Sequence, residues 1–266
     1  MKNYPQIPNN RQIKKFLKKV LFGRNIFCPK CRSFRILKDK TRYRCKNCRG
    51  RFSLLSNTFL GNTKLELTTI WLIIWCFVNQ IPVKQSQLLT ELSEKAVRHW
   101  YDILRNQLSV KQIALKGQIQ MDEVYLGGWG GRAVIAAKEI KTKQIVLHIL
   151  KGFTVYRTDI IEFIERYIAP GSTVYTDSYP SYRGIDRIFN ITHRRDSHKK
   201  FEFYLTSEIE GLFGVLRTFI RRMYHHVSYE KLPEYLSEFQ ARFSHKEYFK
   251  LVDYFLLKTI RLVTTG

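Results

Sequence analysis

Two C-x-x-C pairs, Cys28-Pro-Lys-Cys31 and Cys45-Lys-Asn-Cys48, stand thirteen residues apart near the start of this 266-residue chain. Few patterns restrict local folding more. Each knuckle presents two thiolates to one ion while the backbone turns tightly, so four sulfurs at this spacing suit a single Zn2+. A closed set of four thiolates leaves no open coordination position, which makes such an ion structural. A disulfide or redox pair is the competing use of the same residues. The spacer divides into short strands at Phe34–Leu37 and Thr41–Arg44 around a turn at Lys38–Lys40, the outline of a zinc ribbon. Basic neighbours (Lys30, Arg32, Arg44, Lys46, Arg49 and Arg51) are expected to lower the thiol pKa values and favour metal loading. The fifth cysteine, Cys76, lies in an apolar run and reads as a core residue.

Charge narrows the partner. Lys and Arg number 46 against 22 Asp and Glu, a formal net charge of +24. Residues 1–60 hold 17 of the basic residues and one acid, Asp39, and a second basic block runs from Arg187 to Arg222. A solvated face or a localisation signal is the bland explanation, whereas clustering in two blocks favours a path for a phosphate backbone. An apolar fraction of 44% excludes a disordered chain, and the length suits about two domains. The most apolar run, Ile70–Val78, is about half the length that spans a bilayer, so no membrane partner is expected. The expected compartment is reducing and rich in nucleic acid: bacterial cytoplasm and nucleoid, or a eukaryotic nucleus.

The segment 61–116 reads as helical, with helices at Ile70–Asn79, Lys84–Leu92 and Lys95–Gln107. Ser93 is placed to cap the last one, whose apolar positions Val97, Trp100, Ile103 and Leu104 recur every three or four residues. Two short helices and a tight turn resemble a helix-turn-helix, with Lys95, Arg98, His99 and Arg105 on the outer face of the second. Packing or a dimer interface would give the same periodicity.

From Gln118 the period changes to that of strands. Gln118–Leu126, Arg132–Lys138 and Gln144–Leu150 read as an antiparallel meander, followed by a helix at Thr158–Tyr167 and strands at Ser172–Thr176 and Phe189–His193. A long helix begins near Ser207 and runs to Met223. Asp122 interrupts the apolar first strand and Asp177 ends the fourth. An unpartnered acid in such a place costs several kcal/mol, roughly, unless it is paired or binds a cation. Two acids at one level of neighbouring strands suit Mg2+ or Mn2+, and a carboxylate on the last helix, 33 residues after Asp177, would complete a two-metal site. Glu123 should point to the opposite face of its strand.

Four runs carry a resemblance: Met121-Asp-Glu-Val-Tyr-Leu-Gly-Gly128, Tyr175-Thr-Asp-Ser-Tyr-Pro-Ser-Tyr182, Ile209-Glu-Gly-Leu-Phe-Gly-Val-Leu-Arg217 and Tyr224-His-His-Val-Ser228. Together with the four-cysteine segment ahead of them they resemble the ISXO-type DDE transposases of bacterial insertion sequences, relatives of the Merlin elements. The resemblance implies an α/β (α+β) chain. A basic N-terminus with a zinc ribbon (1–60) and the helix-turn-helix-like segment (61–116) would precede an RNase H-like catalytic core of a mixed five-stranded sheet with helices (117–245). A C-terminal helix or tail (246–266) would follow.

The resemblance further implies a catalytic triad of Asp122, Asp177 and Glu210 holding Mg2+ or Mn2+, with Glu208 as the alternative third ligand. It implies cutting of transposon ends and joining of the 3′-hydroxyl to target DNA by a homo-oligomer on double-stranded DNA. Lys30, Arg32, Arg44, Lys46, Arg49, Arg98, Arg194, Arg195, Lys199, Lys200, Arg217 and Arg221 are the expected DNA contacts. An inactive, domesticated DNA-binding protein and a metal-dependent nuclease or resolvase are the competing functions.

Overall fold

The computed structural model describes residues 6–108, 113–126, 131–195, 206–225 and 227–263. The chain divides into two compact units, residues 1–107 with 247–266, and residues 108–246.

The first unit opens with a helix that composition alone does not announce, α1 (Asn10–Phe22). Asn9 caps it: its side-chain oxygen accepts from the Gln12 N–H at 3.0 Å, and the Gln12 side chain accepts from the Asn9 N–H at 2.9 Å. Ile13, Leu17 and Leu21 recur every fourth residue and are buried. The ribbon follows as β1 (Ile36–Asp39), β2 (Arg42–Cys45) and β3 (Arg51–Phe52), all antiparallel. Its hairpin lies one or two residues later than the spacer pattern suggests, with Lys40 at φ 49° taking the left-handed position of the turn. The two-residue β3 is too short to leave a periodic signal; Phe52 earns its place by stacking on Tyr43, ring centroids 5.4 Å apart.

Helices α2 (Leu67–Val78), α3 (Val83–Thr90) and α4 (Glu94–Arg105) come next. The Ser93 hydroxyl accepts from the Ala96 N–H at 3.2 Å and caps α4 as its position predicts. Cys76 is fully buried. The Tyr101 hydroxyl donates to the Ile81 carbonyl at 2.7 Å and lies 2.6 Å from the Ser86 hydroxyl, tying α4 to the α2–α3 turn. At the far end of the chain α8 (Val252–Thr259) returns to this unit, where Phe255 meets Phe77 edge-on at 5.8 Å.

The second unit is built on β4 (Gln118–Leu126), β5 (Arg132–Glu139), β6 (Ile145–Ile149), α5 (Arg157–Tyr167), β7 (Thr173–Thr176), β8 (Thr192–Arg195), α6 (Ser207–Tyr224) and α7 (Leu232–Ser244). The sheet runs β6-β5-β4-β7-β8. The first three strands form an antiparallel meander, and β7 and β8 add in parallel. That order, with helices on both faces, is the RNase H-like arrangement. Alternation along β4 divides the molecule: Ile119 and Met121 enter the core under α5 with Phe163, Ile164 and Tyr182, whereas Gln120 turns to α6. The fifth strand starts three residues later than its apolar pattern predicts, because the chain from Ile185 closes a 3-10 turn in which the Ile188 N–H donates to the Ile185 carbonyl. Helix α7 is held by an internal ion pair: the fully buried Glu238 accepts from the Arg242 guanidinium at 2.9 Å and from the Tyr224 hydroxyl at 2.5 Å.

Candidate catalytic centre and metal sites

The four ribbon cysteines converge. Sγ of Cys28 lies 3.6 Å from that of Cys48, and Cys31 lies 3.5 Å from Cys45. All four sulfurs fall within 4.8 Å of one another. A tetrahedral Zn–S4 centre with Zn–S near 2.3 Å has sulfurs about 3.8 Å apart, so the donor set fits zinc. A Cβ on Gly50 would stand only 3.3 Å from the Cys48 sulfur, which keeps that knuckle close. The backbone N–H near Ser33 pulls the Cys31 thiol down to about 6, while burial pushes Cys28 up to about 11. The downward pull on Cys31 comes from backbone and thiol hydrogen bonds rather than from the exposed basic side chains that the sequence suggests.

The acids of the second unit are neighbours in charge, since Asp177 and Glu210 both act on Asp122, but among the described residues only the four cysteines gather as one metal-ligand group. β4 pairs with β7 in parallel, with Gln120 opposite Tyr175. Asp122 follows two residues after Gln120 in β4, and Asp177 follows two residues after Tyr175, just past the end of β7. Asp177 caps the turn that follows, accepting from the Tyr179 N–H at 2.9 Å. Burial pushes the Asp122 carboxyl up to about 7, and the negative charges of Glu123, Asp177 and Glu210 add to the rise against a hydrogen bond from the Glu123 N–H. A half-buried acid with three anionic neighbours is the electrostatic setting that a divalent cation relieves, and the oxygen donors are those Mg2+ and Mn2+ prefer. Glu123 faces away: its carboxylate accepts from the buried Tyr182 hydroxyl at 2.6 Å.

Helix α6 delivers Glu210 to this place because its first turn is anchored to the sheet. The buried Gln120 side chain, two residues before Asp122 on the same face, accepts from the Ile209 N–H at 2.9 Å. Lys138 is the cross-strand partner of Gln120. Its ammonium donates to the Glu208 carbonyl at 3.2 Å and pairs with the Glu208 carboxylate at 2.6 Å. Lys143 pairs with the other carboxylate oxygen of Glu208 at 2.9 Å. Both oxygens of Glu208 are therefore taken by lysines, which hold its carboxyl below the usual range. Glu210 is exposed, accepts from the Thr206 hydroxyl at 3.4 Å, and contributes to the field on Asp122.

Residues 114–244 match the family described as the ISXO2-like transposase domain. This segment is an ISXO2-like transposase domain. Several solved structures are similar to part of the chain. The catalytic core domain of BIV integrase is 12% identical over 48% of this chain and 82% of that one, with a TM-score of 0.35. A simian T-cell lymphotropic virus intasome in complex with PP2A regulatory subunit B56 gamma is 11% identical over 65% of each chain, with a TM-score of 0.38. The HTLV-2 integrase catalytic core domain in complex with magnesium, in trimeric form, is 8% identical over 48% and 85%, with a TM-score of 0.34. These likenesses are shallow, and the strand order carries the fold assignment. No curated protein matches the chain.

Within the transposase domain the basic residues fall on two elements. Arg194 and Arg195 are exposed on the edge strand β8, and Arg217 and Arg221 are exposed on α6, seven and eleven residues beyond Glu210 on the same side of the helix. Lys199, Lys200 and His226 lie outside the described residues. In the first unit Lys30, Arg32, Arg44, Lys46 and Arg49 are exposed around the cysteine knuckles. The outer face of α4 differs from expectation. Arg98 is held by Glu94 at 2.8 Å, and Arg105 is buried against Asp102 at 2.5 Å, so the last turn of α4 presents no free guanidinium there. What the sequence did not reveal are the anchors of α6. Gln120, Lys138 and Lys143 matter through partners 65 to 89 residues away, and no local pattern marks them. Among the described residues no helix is long and apolar enough to cross a membrane.

Proposed function

We propose that the chain cuts the ends of a mobile DNA element and joins the freed 3′-hydroxyl to target DNA, with Asp122, Asp177 and Glu210 as ligands of Mg2+ or Mn2+. The observation that carries this reading is the buried Asp122 carboxyl under the negative charges of Asp177 and Glu210, in a domain of the ISXO2-like transposase family. Bound divalent ions supply positive charge against the scissile phosphate and its leaving oxygen. The chain's own residues do the rest. Gln120, Lys138 and Lys143 fix the helix that carries Glu210, and Arg217 and Arg221, on the same side of that helix, take phosphate oxygens of the bound strand. Arg194 and Arg195 extend the phosphate path along β8. In the first step water attacks the phosphodiester at the element's end, leaving a 3′-hydroxyl and a 5′-phosphate. In the second, that hydroxyl attacks a target phosphodiester, and one P–O bond forms as another breaks. No covalent protein–DNA intermediate is needed. Two ends held together call for a homo-oligomer on double-stranded DNA.

The test is joining of a labelled end-containing duplex to plasmid DNA in Mg2+. The unaltered protein should join, and Asp122→Asn, Asp177→Asn and Glu210→Gln should each abolish joining while end binding persists. Joining by either Asp variant at the unaltered rate overturns the assignment. Binding without joining by the unaltered protein makes it a DNA-binding protein, and cutting without joining makes it a nuclease.

A further inference from the structure

The helix α1 and the β1–β2 hairpin enclose a groove of about 610 Å3. Four of its cations, Arg11, Lys14, Lys15 and Lys18, stand at i, i+3, i+4 and i+7 on the face of α1 opposite the buried Ile13 and Leu17. Lys38 and Lys40 face them from the hairpin, and no carboxylate lines the groove. The floor is made by Tyr43, Leu54, Leu55 and Leu67. Most of the lining surface is apolar, and six cations stand along its rim with no acid among the lining residues to balance them.

This arrangement opposes the stability of α1. Like charges three and four residues apart repel, and Arg11 sits at the positive end of the helix dipole. The helix has no acid in its sequence to offset them. Along α1 the four cations span about 10 Å, a length in which one strand of duplex DNA presents about three phosphates. A concave, two-walled site suits a rod-like polyanion better than it suits a flat lipid surface.

We infer that the groove between α1 and the β1–β2 hairpin seats the phosphate backbone of duplex DNA, with Lys14, Lys15 and Lys18 on one wall and Lys38 and Lys40 on the other. The site is distinct from the cysteine-knuckle residues Lys30, Arg32, Arg44, Lys46 and Arg49, none of which lines it. It rests on the first unit alone and stands whether or not the second unit joins DNA strands.

The experiment measures affinity of the full-length, zinc-loaded protein for a fluorescent duplex of about 30 base pairs over a range of KCl, without added Mg2+ so that no cutting occurs. Each phosphate neutralised adds about 0.9 to the slope of log K against log salt. Lys14→Gln/Lys18→Gln should make the slope shallower by about 1.8. Lys250→Gln/Lys258→Gln, the same charge change elsewhere in the first unit, should move it far less. Lys38→Gln/Lys40→Gln, on the opposite wall, should repeat the loss and provides the test should the α1 variant fail to fold. Equal shifts for groove and control pairs overturn the inference. So does loss of binding to phosphatidylserine vesicles with the DNA slope unchanged, which would give the groove to a membrane.

Discussion

Replacing Gln120 by Met tests whether the sheet positions the acid of α6. The two side chains are alike in length and volume, and position 120 is buried, so the change removes chiefly the bond to the Ile209 N–H. That N–H is not orphaned, because it also reaches the Thr206 carbonyl at 3.1 Å. The cost is then one capping-type hydrogen bond, about 1 kcal/mol. In a unit of this size that lowers the thermal midpoint by roughly 4 °C. The effect on rate should exceed the effect on stability. Glu210 is the next residue along the helix, and a misplacement of about 1 Å in a reacting constellation costs on the order of 100-fold. Lys138 and Lys143 still hold the Glu208 end, so the expected loss is about tenfold in end cutting at 25 °C, well below the unfolding range. Cutting rate at saturating Mg2+ and the calorimetric midpoint, measured on the same preparation, separate the two effects. A lowered midpoint with a cutting rate within twofold of the unaltered protein refutes the positioning role.

Glu208→Gln should keep metal-dependent cutting within a few-fold and cost about 1 kcal/mol in chemical denaturation, whereas Glu210→Gln should lose activity with little change in stability; the reverse pattern would move the third ligand to Glu208. Cys45→Ser should eliminate the single bound zinc seen by atomic absorption and melt the ribbon in near-UV circular dichroism; purified, reduced protein without zinc would refute the metal reading. Burial holds His148 and His193 below the usual histidine range. Unfolded histidines gain protons near pH 6.5 while the folded ones do not, so the second unit should keep its full stability above that pH and lose it as pH falls towards the lowered folded values. The drop in thermal midpoint between pH 7.5 and 5.5 should be smaller in His148→Phe, whose ring would still pack between Phe163 and Tyr167; an unchanged drop would clear His148 of the effect.

Strands with one wet or one divided face leave a plain signal, and the meander shows it. The alternation of Gln118–Leu126 marks β4 with its observed limits, and Ser93 marks the start of α4. The cysteine spacing likewise declares the donor set now seen within 4.8 Å. Other elements depend on contacts that lie far along the chain. In α7 the buried Glu238 and Arg242 look like surface residues in sequence, because their burial is compensated by each other and by Tyr224. In α1 the apolar spacing of Ile13, Leu17 and Leu21 is legible, but it is submerged in a segment whose charge dominates. On α4, Arg105 fits the pattern of an outer face until Asp102, three residues before it, draws it inward.

The pair Asp122–Glu123 shows how a strand assigns unlike tasks to adjacent carboxylates. Successive side chains leave β4 on opposite faces, so one acid turns to the side of α6 and the other to the core under α5. Glu123 is satisfied there by the Tyr182 hydroxyl, whose own ionisation burial strongly disfavours, so that hydroxyl remains a donor. Among the described residues Asp122 accepts from the N–H of its neighbour and from no side chain. Burial raises both carboxyls; for Glu123 the Tyr182 hydroxyl offsets part of the rise, and for Asp122 the charges of Asp177 and Glu210 add to it. Gln120, on the Asp122 side, carries the logic one step further. A neutral side chain that can accept a helix N–H stands where a further strand carboxylate would add to the repulsion, and through it the sheet fixes the first turn of α6, which carries Glu210.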